Sequence, residues 1–218
     1  MLVALCVLEA VAVFWLVHAS VNQHYHRLWV KLLACSGFVL IAIYTINQHT
    51  PLITSWLMLL GLLLSWFGDM LLGSYRIIRR FRIYIMGVIC FFFAQCTYIA
   101  GFSTIEDPFI LPFLFAALCI AYLISQRHQL TGNYVNLYPI IYFYGFSLGF
   151  AGGYGVQLLF NQSITWVLPA GIILFLASDC ILFQRFRKSG RQKWHEPAYL
   201  ILYNLGQSLI ALSLLWFR

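Results

Sequence analysis

Apolar runs about as long as a bilayer is thick recur along the whole chain, and that pattern narrows the possible folds more than any other feature. A spanning helix needs roughly 20 predominantly apolar residues at a rise of about 1.5 Å each. On that rule the sequence predicts eight spans, approximately 2–18, 28–46, 52–72, 83–102, 108–125, 136–158, 163–183 and 198–217. The alternating ten-residue segments of a membrane β-barrel are absent from it. The expected fold class is all-α, a polytopic membrane bundle of eight transmembrane helices. With 62% of residues hydrophobic and 9% charged, no hydrophilic stretch is long enough to fold separately, so residues 1–218 are read as one transmembrane domain. The first apolar run lacks a basic leading region and carries Glu9 in its middle, so it is read as a helix and not as a cleaved signal.

The charges set an expected orientation. Arg27 follows span one, Arg76, Arg79, Arg80 and Arg82 follow span three, Arg127 follows span five, and Arg185, Arg187, Lys188, Arg191 and Lys193 follow span seven. Lys31 starts span two on the same side, and the opposite side holds only Arg218 among the basic residues, with Glu106 and Asp107. The positive-inside rule then makes the basic loops cytoplasmic and both termini non-cytoplasmic, in a multi-pass protein of the plasma (inner) membrane. The net charge of +7 describes a rim over anionic head groups, and no basic domain for nucleic acid is present. Cys6, Cys35, Cys90, Cys96, Cys119 and Cys180 are scattered through the spans as small packing residues, without metal-ligand spacing or a disulfide framework.

Asp69 and Asp179 lie near the ends of spans three and seven, 110 positions apart, and Trp56 with Trp166, Gly61 with Gly171, and Leu64 with Leu174 keep the same offset. An even number of spans per half makes this a parallel 4+4 internal repeat, with halves of approximately 1–104 and 105–218, and it carries the two carboxyl groups toward one central cavity. An aspartate at a helix centre costs about 2.5 to 3.5 kcal/mol on insertion scales, so an intramembrane carboxylate points to a functional site. Each precedes a basic residue by six or seven positions, which places it roughly 9 to 11 Å below the charged rim. Gln95, Tyr98, Tyr203 and Gln207 on the following helices, and Lys31 on span two, belong to the same half of the membrane.

Each signal also has a structural reading. The aspartates can serve in a buried salt bridge with Lys31, the glutamines can join helices by hydrogen bonds, and the tyrosines can be packing or interfacial residues. Glu9 has no counterpart in the second half and reads as a satisfied polar group. Gly145, Ser147 and Gly149 match G-x-S-x-G, but that pattern makes a nucleophile only at a strand-to-helix turn; here, with Gly153, it reads as a close helix-packing face. His18, His24 and His26 form no recognised metal-ligand set.

In this order, Gly68-Asp69, Ser178-Asp179, Lys31, Tyr98 and the stretch from Tyr203 to Gln207 resemble the YhhN or lysoplasmalogenase-like membrane proteins. The resemblance covers most of the chain and departs at Gln95, where members usually carry His. It implies hydrolysis of the vinyl ether bond of lysoplasmalogens to a fatty aldehyde and glycerophospho-ethanolamine or -choline. Asp69 and Asp179 would be the catalytic acids, their roles interchangeable at this stage, while Lys31, Gln95, Tyr98, Tyr203 and Gln207 bind or orient the lysophospholipid. No metal or organic cofactor is implied, and the partners are lipids; oligomeric state is left open. The alternatives are a proton-coupled transporter, for which the spans lack broken helices, and a non-catalytic lipid-binding protein.

Overall fold

The computed structural model describes residues 1–21, 26–48, 50–129, 138–160, 165–184 and 192–217. Within them the chain forms eight α-helices: α1 (Leu2–Val21), α2 (Arg27–Ile46), α3 (Ile53–Ile78), α4 (Phe81–Ser103), α5 (Ile110–Gln126), α6 (Tyr138–Leu158), α7 (Val167–Gln184) and α8 (His195–Ser213). No strand occurs among the described residues. Six of the helices, all but α5 and α6, are long and apolar enough to cross a membrane. The 17-residue α5 is apolar but shorter, and the 21-residue α6 is diluted by glycine and tyrosine.

The helices pack as hairpins, α1 on α2, α3 on α4, α5 on α6 and α7 on α8. The hairpins join through α2 against α3 and α8, and through α6 against α4 and α7. The core is built by Phe38, Met58, Leu62, Tyr98, Phe102, Tyr154, Phe175 and Tyr203, from α2, α3, α4, α6, α7 and α8. The outward faces of the helices carry Phe14, Trp15, Trp29, Phe93, Phe113 and Phe143 in the open. Such a surface is stable in hydrocarbon and not in water.

The structure corrects several helix ends. The apolar run of span three stops near residue 72, but α3 continues to Ile78 and turns through Arg79, whose φ of 54° is left-handed, before α4 begins at Phe81. Tyr75 O accepts the Arg79 N–H at 2.8 Å and so closes the helix end. Arg76, Arg82 and Arg27 therefore belong to helices and not to loops. Span eight begins earlier than expected, at His195, which brings Glu196 into the bundle. His24, Arg185, Arg187, Lys188, Arg191 and Arg218 lie outside the described residues.

Two close crossings hold the functional helices. A Cβ on Gly171 of α7 would come within 2.8 Å of Gly206 O and 2.9 Å of Ile210 N on α8. On α6, the face of Gly145, Gly149 and Gly153 packs on α5: a Cβ on Gly149 would sit 2.7 Å from Phe115 O, and one on Gly153 would sit 2.5 Å from Leu111 O. The G-x-S-x-G pattern is thus a helix-packing surface, and Ser147 donates to its own helix at Tyr144 O, 2.9 Å away.

Candidate functional site

The interior polar cluster starts from one buried ion pair. Lys31, one turn into α2, places its ammonium 2.5 Å from Asp69 Oδ1 of α3. The Cys35 thiol, one turn further along α2, lies 3.1 Å from Asp69 Oδ2 and 4.0 Å from Asn204 Oδ1 of α8. Asp69 is only 3% exposed. A lone carboxylate there would be costly, and the ammonium and thiol match both its oxygens. Tyr203, the neighbour of Asn204, places its buried hydroxyl beside the same carboxylate, with no hydrogen bond of ordinary geometry among the described residues. The rings of Phe38, Phe91 and Phe175 meet the Tyr203 ring edge-on, with centroids 5.6 to 6.2 Å apart, and fix its orientation.

The second carboxyl group has a different setting. Asp179, half-buried on α7, accepts a hydrogen bond from the Tyr144 hydroxyl of α6 through Oδ2. Ser178 Oγ lies 3.4 Å from Oδ1 and also donates to Phe175 O at 2.7 Å. The Tyr144 phenol lies beside Gln95 of α4, and Asp69 is within electrostatic reach of Asp179. Each aspartate therefore meets a group from the helix that precedes its own, Asp69 the Lys31 ammonium and Asp179 the Tyr144 hydroxyl.

Between the two lie amide and phenol groups. Tyr98, 1% exposed, donates to Gln207 Oε1 at 2.7 Å, and Ser65 of α3 sits beside the Tyr98 phenol. Among the described residues, four buried atoms here, Ser65 Oγ, Gln95 Nε2, Tyr203 OH and Gln207 Nε2, make no hydrogen bond of ordinary geometry. Buried polar atoms are rarely left so, and a group of them next to two carboxyls is a surface suited to a polar ligand. Among the described residues, no three His, Cys, Asp or Glu side chains converge as metal ligands.

All seven residues singled out in the sequence belong to this interior network. Lys31 joins Asp69, Gln95 joins the Tyr144–Asp179 pair, and Tyr98 joins Gln207, with Tyr203 facing Asp69. Glu9 is a satisfied polar group at the edge of this region: it accepts from Ser208 Oγ and packs on Gly37. Sequence reasoning missed Cys35, Asn204 and Tyr144. Asn204 was visible as an amide inside an apolar helix. Tyr144 precedes Asp179 by 35 residues, much as Lys31 precedes Asp69 by 38, a similarity of spacing that the sequence displays.

Along the seam between α2 and α3, an apolar groove of about 260 Å³ is lined by Ser36, Val39, Leu40, Leu63, Trp66 and Phe67. Trp66 Nε1 donates to Ser36 Oγ at 3.1 Å across it.

The fold and the cluster define a polytopic helical membrane protein with two carboxyl groups in its interior. The chain belongs to the YhhN family, whose family model matches residues 27–214, from the start of α2 to the turn that follows α8. No curated protein and no solved structure matches the chain.

Proposed function

We propose that the protein is a membrane-embedded ether hydrolase that cleaves the vinyl ether bond of lysoplasmalogens, releasing a fatty aldehyde and glycerophospho-ethanolamine or -choline. The observation that carries this reading is the unlike partnering of two neighbouring carboxyls: Lys31 on Asp69, Tyr144 on Asp179. Membership of the YhhN family supports it.

Cleaving a vinyl ether begins with a proton delivered to the β-carbon, which leaves an oxocarbenium ion at the carbon bonded to oxygen. An ammonium beside a carboxylate favours its ionised form, and burial among neutral groups favours a carboxyl that still holds its proton. Asp179 is accordingly the proton donor and Asp69 the anion that stabilises the cation. Asp69 then takes a proton from the attacking water as the C–O bond of the hemiacetal forms. Collapse breaks the bond to the glycerol oxygen, which receives the proton from Asp69, while the hemiacetal hydroxyl returns one to Asp179. Both acids end as they began, and one water has been consumed. Gln95, Tyr98, Tyr203 and Gln207 orient the ether and the water, and the alkenyl chain lies along the α2–α3 groove, on the two helices that carry Lys31 and Asp69.

In this reading the basic end of the bundle is cytoplasmic, all eight helices span the plasma membrane, and the chain is a parallel 4+4 repeat. The packing pattern supports the repeat, since α2 against α3 and α8 is matched by α6 against α7 and α4. The test is purified protein offered lysolipids with vinyl ether, alkyl ether and ester linkages. Aldehyde release from the vinyl ether alone is expected. Proton-coupled flux in liposomes without lipid turnover would favour a transporter instead, and binding without turnover would favour a lipid-binding protein.

A further inference from the structure

Cys35 stands between the Asp69 carboxylate and the side-chain amide of Asn204, and the hydrolytic steps give it no task. Its Sγ lies 3.1 Å from Asp69 Oδ2 and 4.0 Å from Asn204 Oδ1. A thiol carries one hydrogen, so it serves one of these acceptors at a time. Asn204 is held in place, because its Nδ2 donates to Leu200 O of its own helix at 2.8 Å and leaves Oδ1 facing the thiol. Cys35 and Asn204 are both buried. Rotation of the S–H about the Cβ–Sγ bond is enough to pass the hydrogen from one acceptor to the other without moving a heavy atom.

The two oxygens of Asp69 are unequally held. Oδ1 meets the Lys31 ammonium at 2.5 Å, and that charge opposes a proton arriving there. Oδ2 meets the thiol, which is a weak donor, and a carboxylate oxygen has lone pairs for a second partner. A proton taken up at Oδ2 makes the acid neutral. It then attracts the S–H less, since hydrogen bonds to ionised groups are roughly twice as strong as those between neutral ones. Asn204 Oδ1 is the competing acceptor within reach of the same thiol.

We propose that Cys35 is a positioning residue for Asp69 and forms a hydrogen-bond switch with Asn204: its S–H holds Oδ2 while Asp69 is ionised and turns to Asn204 Oδ1 when Oδ2 takes the proton of the attacking water. The S–H bond is never broken. The proton on Oδ2 comes from water and leaves with the glycerol oxygen, after which the thiol turns back. In this way the thiol keeps an acceptor in both charge states of Asp69, at a buried position where an unmatched donor is costly. Its place in the cycle rests on the hydrolase reading above, whereas the pairing of the thiol belongs to the resting protein.

The S–H stretch reports the acceptor directly, because it absorbs apart from other protein groups and falls in wavenumber as its hydrogen bond strengthens. In full-length protein in detergent, the infrared difference between wild type and Cys35→Ala isolates the Cys35 band, with the same subtraction made in each variant background. The wild-type band is expected below that of a thiol without an acceptor. Asp69→Asn, a neutral stand-in for the protonated acid, should raise it part of the way, and adding Asn204→Leu should raise it to the free-thiol position. Asn204→Leu alone should leave it unmoved. Lys31→Met with Asp69→Asn provides the same comparison if the single Asp69→Asn variant does not fold. In turnover, Cys35→Ala should lower kcat about tenfold with KM little changed, the scale of one hydrogen bond to a charged group, and Cys35→Ser, which restores a donor, should recover most of the loss. A wild-type band at the free-thiol position, or one indifferent to Asp69→Asn, overturns the proposal, as does a band that ignores Asn204→Leu in the Asp69→Asn background. Unchanged kcat in Cys35→Ala, or equal loss in folded Cys35→Ala and Cys35→Ser, overturns the positioning role and makes Cys35 a packing thiol. Wild type that releases no aldehyde removes the hydrolase reading, and the infrared bands then still decide the switch; aldehyde release with a band that ignores Asp69→Asn does the opposite.

Discussion

Lys31 and Asp69 meet at 2.5 Å inside a bundle whose other interior aspartate, Asp179, is met among the described residues by the hydroxyls of Tyr144 and Ser178. A buried ion pair adds little net stability when intact, but removing one partner leaves the other charge stranded, at a cost of about 3 to 5 kcal/mol. Lys31→Met is therefore expected to lower the unfolding temperature in detergent sharply, and Lys31→Met with Asp69→Asn should recover most of the loss without recovering hydrolysis. A single Lys31→Met as stable as the wild type would mean that the pair bears no charge.

Tyr144 offers a milder probe of the other carboxyl. Tyr144→Phe keeps the ring and removes the hydroxyl that Asp179 accepts from. Losing that orientation is expected to reduce kcat by roughly 10- to 100-fold, part of what a positioned acid contributes, while KM and thermal unfolding change little. Unchanged turnover in Tyr144→Phe would remove Tyr144 from the account.

The serine of the G-x-S-x-G pattern gives the opposite expectation. Ser147 bonds its own helix, so Ser147→Ala should retain turnover and change stability by no more than about 0.5 kcal/mol. Gly149→Val, pressed against the α5 backbone at Phe115 O, should destabilise by about 1 to 3 kcal/mol or more. Inactive but well-folded Ser147→Ala protein would revive a nucleophilic serine.

The eight helices and the partnering of both aspartates were legible because hydrocarbon imposes a simple rule: apolar runs of fixed length, with each ionisable residue an exception that needs a partner. Helix ends were less legible. The continuation of α3 past residue 72 is polar and amphipathic, so Arg76 read as a loop residue, and the early start of α8 hid Glu196 in the same way. Partners such as Cys35 and Tyr144 were hard to read because a thiol and a phenol are ordinary packing residues in a bundle with thirteen tyrosines, and only proximity to a carboxyl distinguishes them.

Gln95 stands where the resembled family usually carries His, and its side chain lies beside the Tyr144 phenol, its Nε2 making no hydrogen bond of ordinary geometry among the described residues. An amide at that position can orient but cannot shuttle a proton at neutral pH. Gln95→His is expected to keep turnover within about tenfold and to add an ionisation near pH 6.5 to the rate profile, whereas Gln95→Leu should lose at least tenfold. A Gln95→Leu variant with wild-type kinetics would make this residue a packing group.

Isotope incorporation reaches the central claim most directly. In deuterated water, cleavage of a lysoplasmalogen by the wild type should place one solvent deuterium on the aldehyde carbon next to the carbonyl, read by mass spectrometry, and both Asp69→Asn and Asp179→Asn should abolish the labelled product while eluting as folded protein. Continued release of labelled aldehyde by either folded variant, or no aldehyde from the wild type, would contradict the paired-carboxyl mechanism.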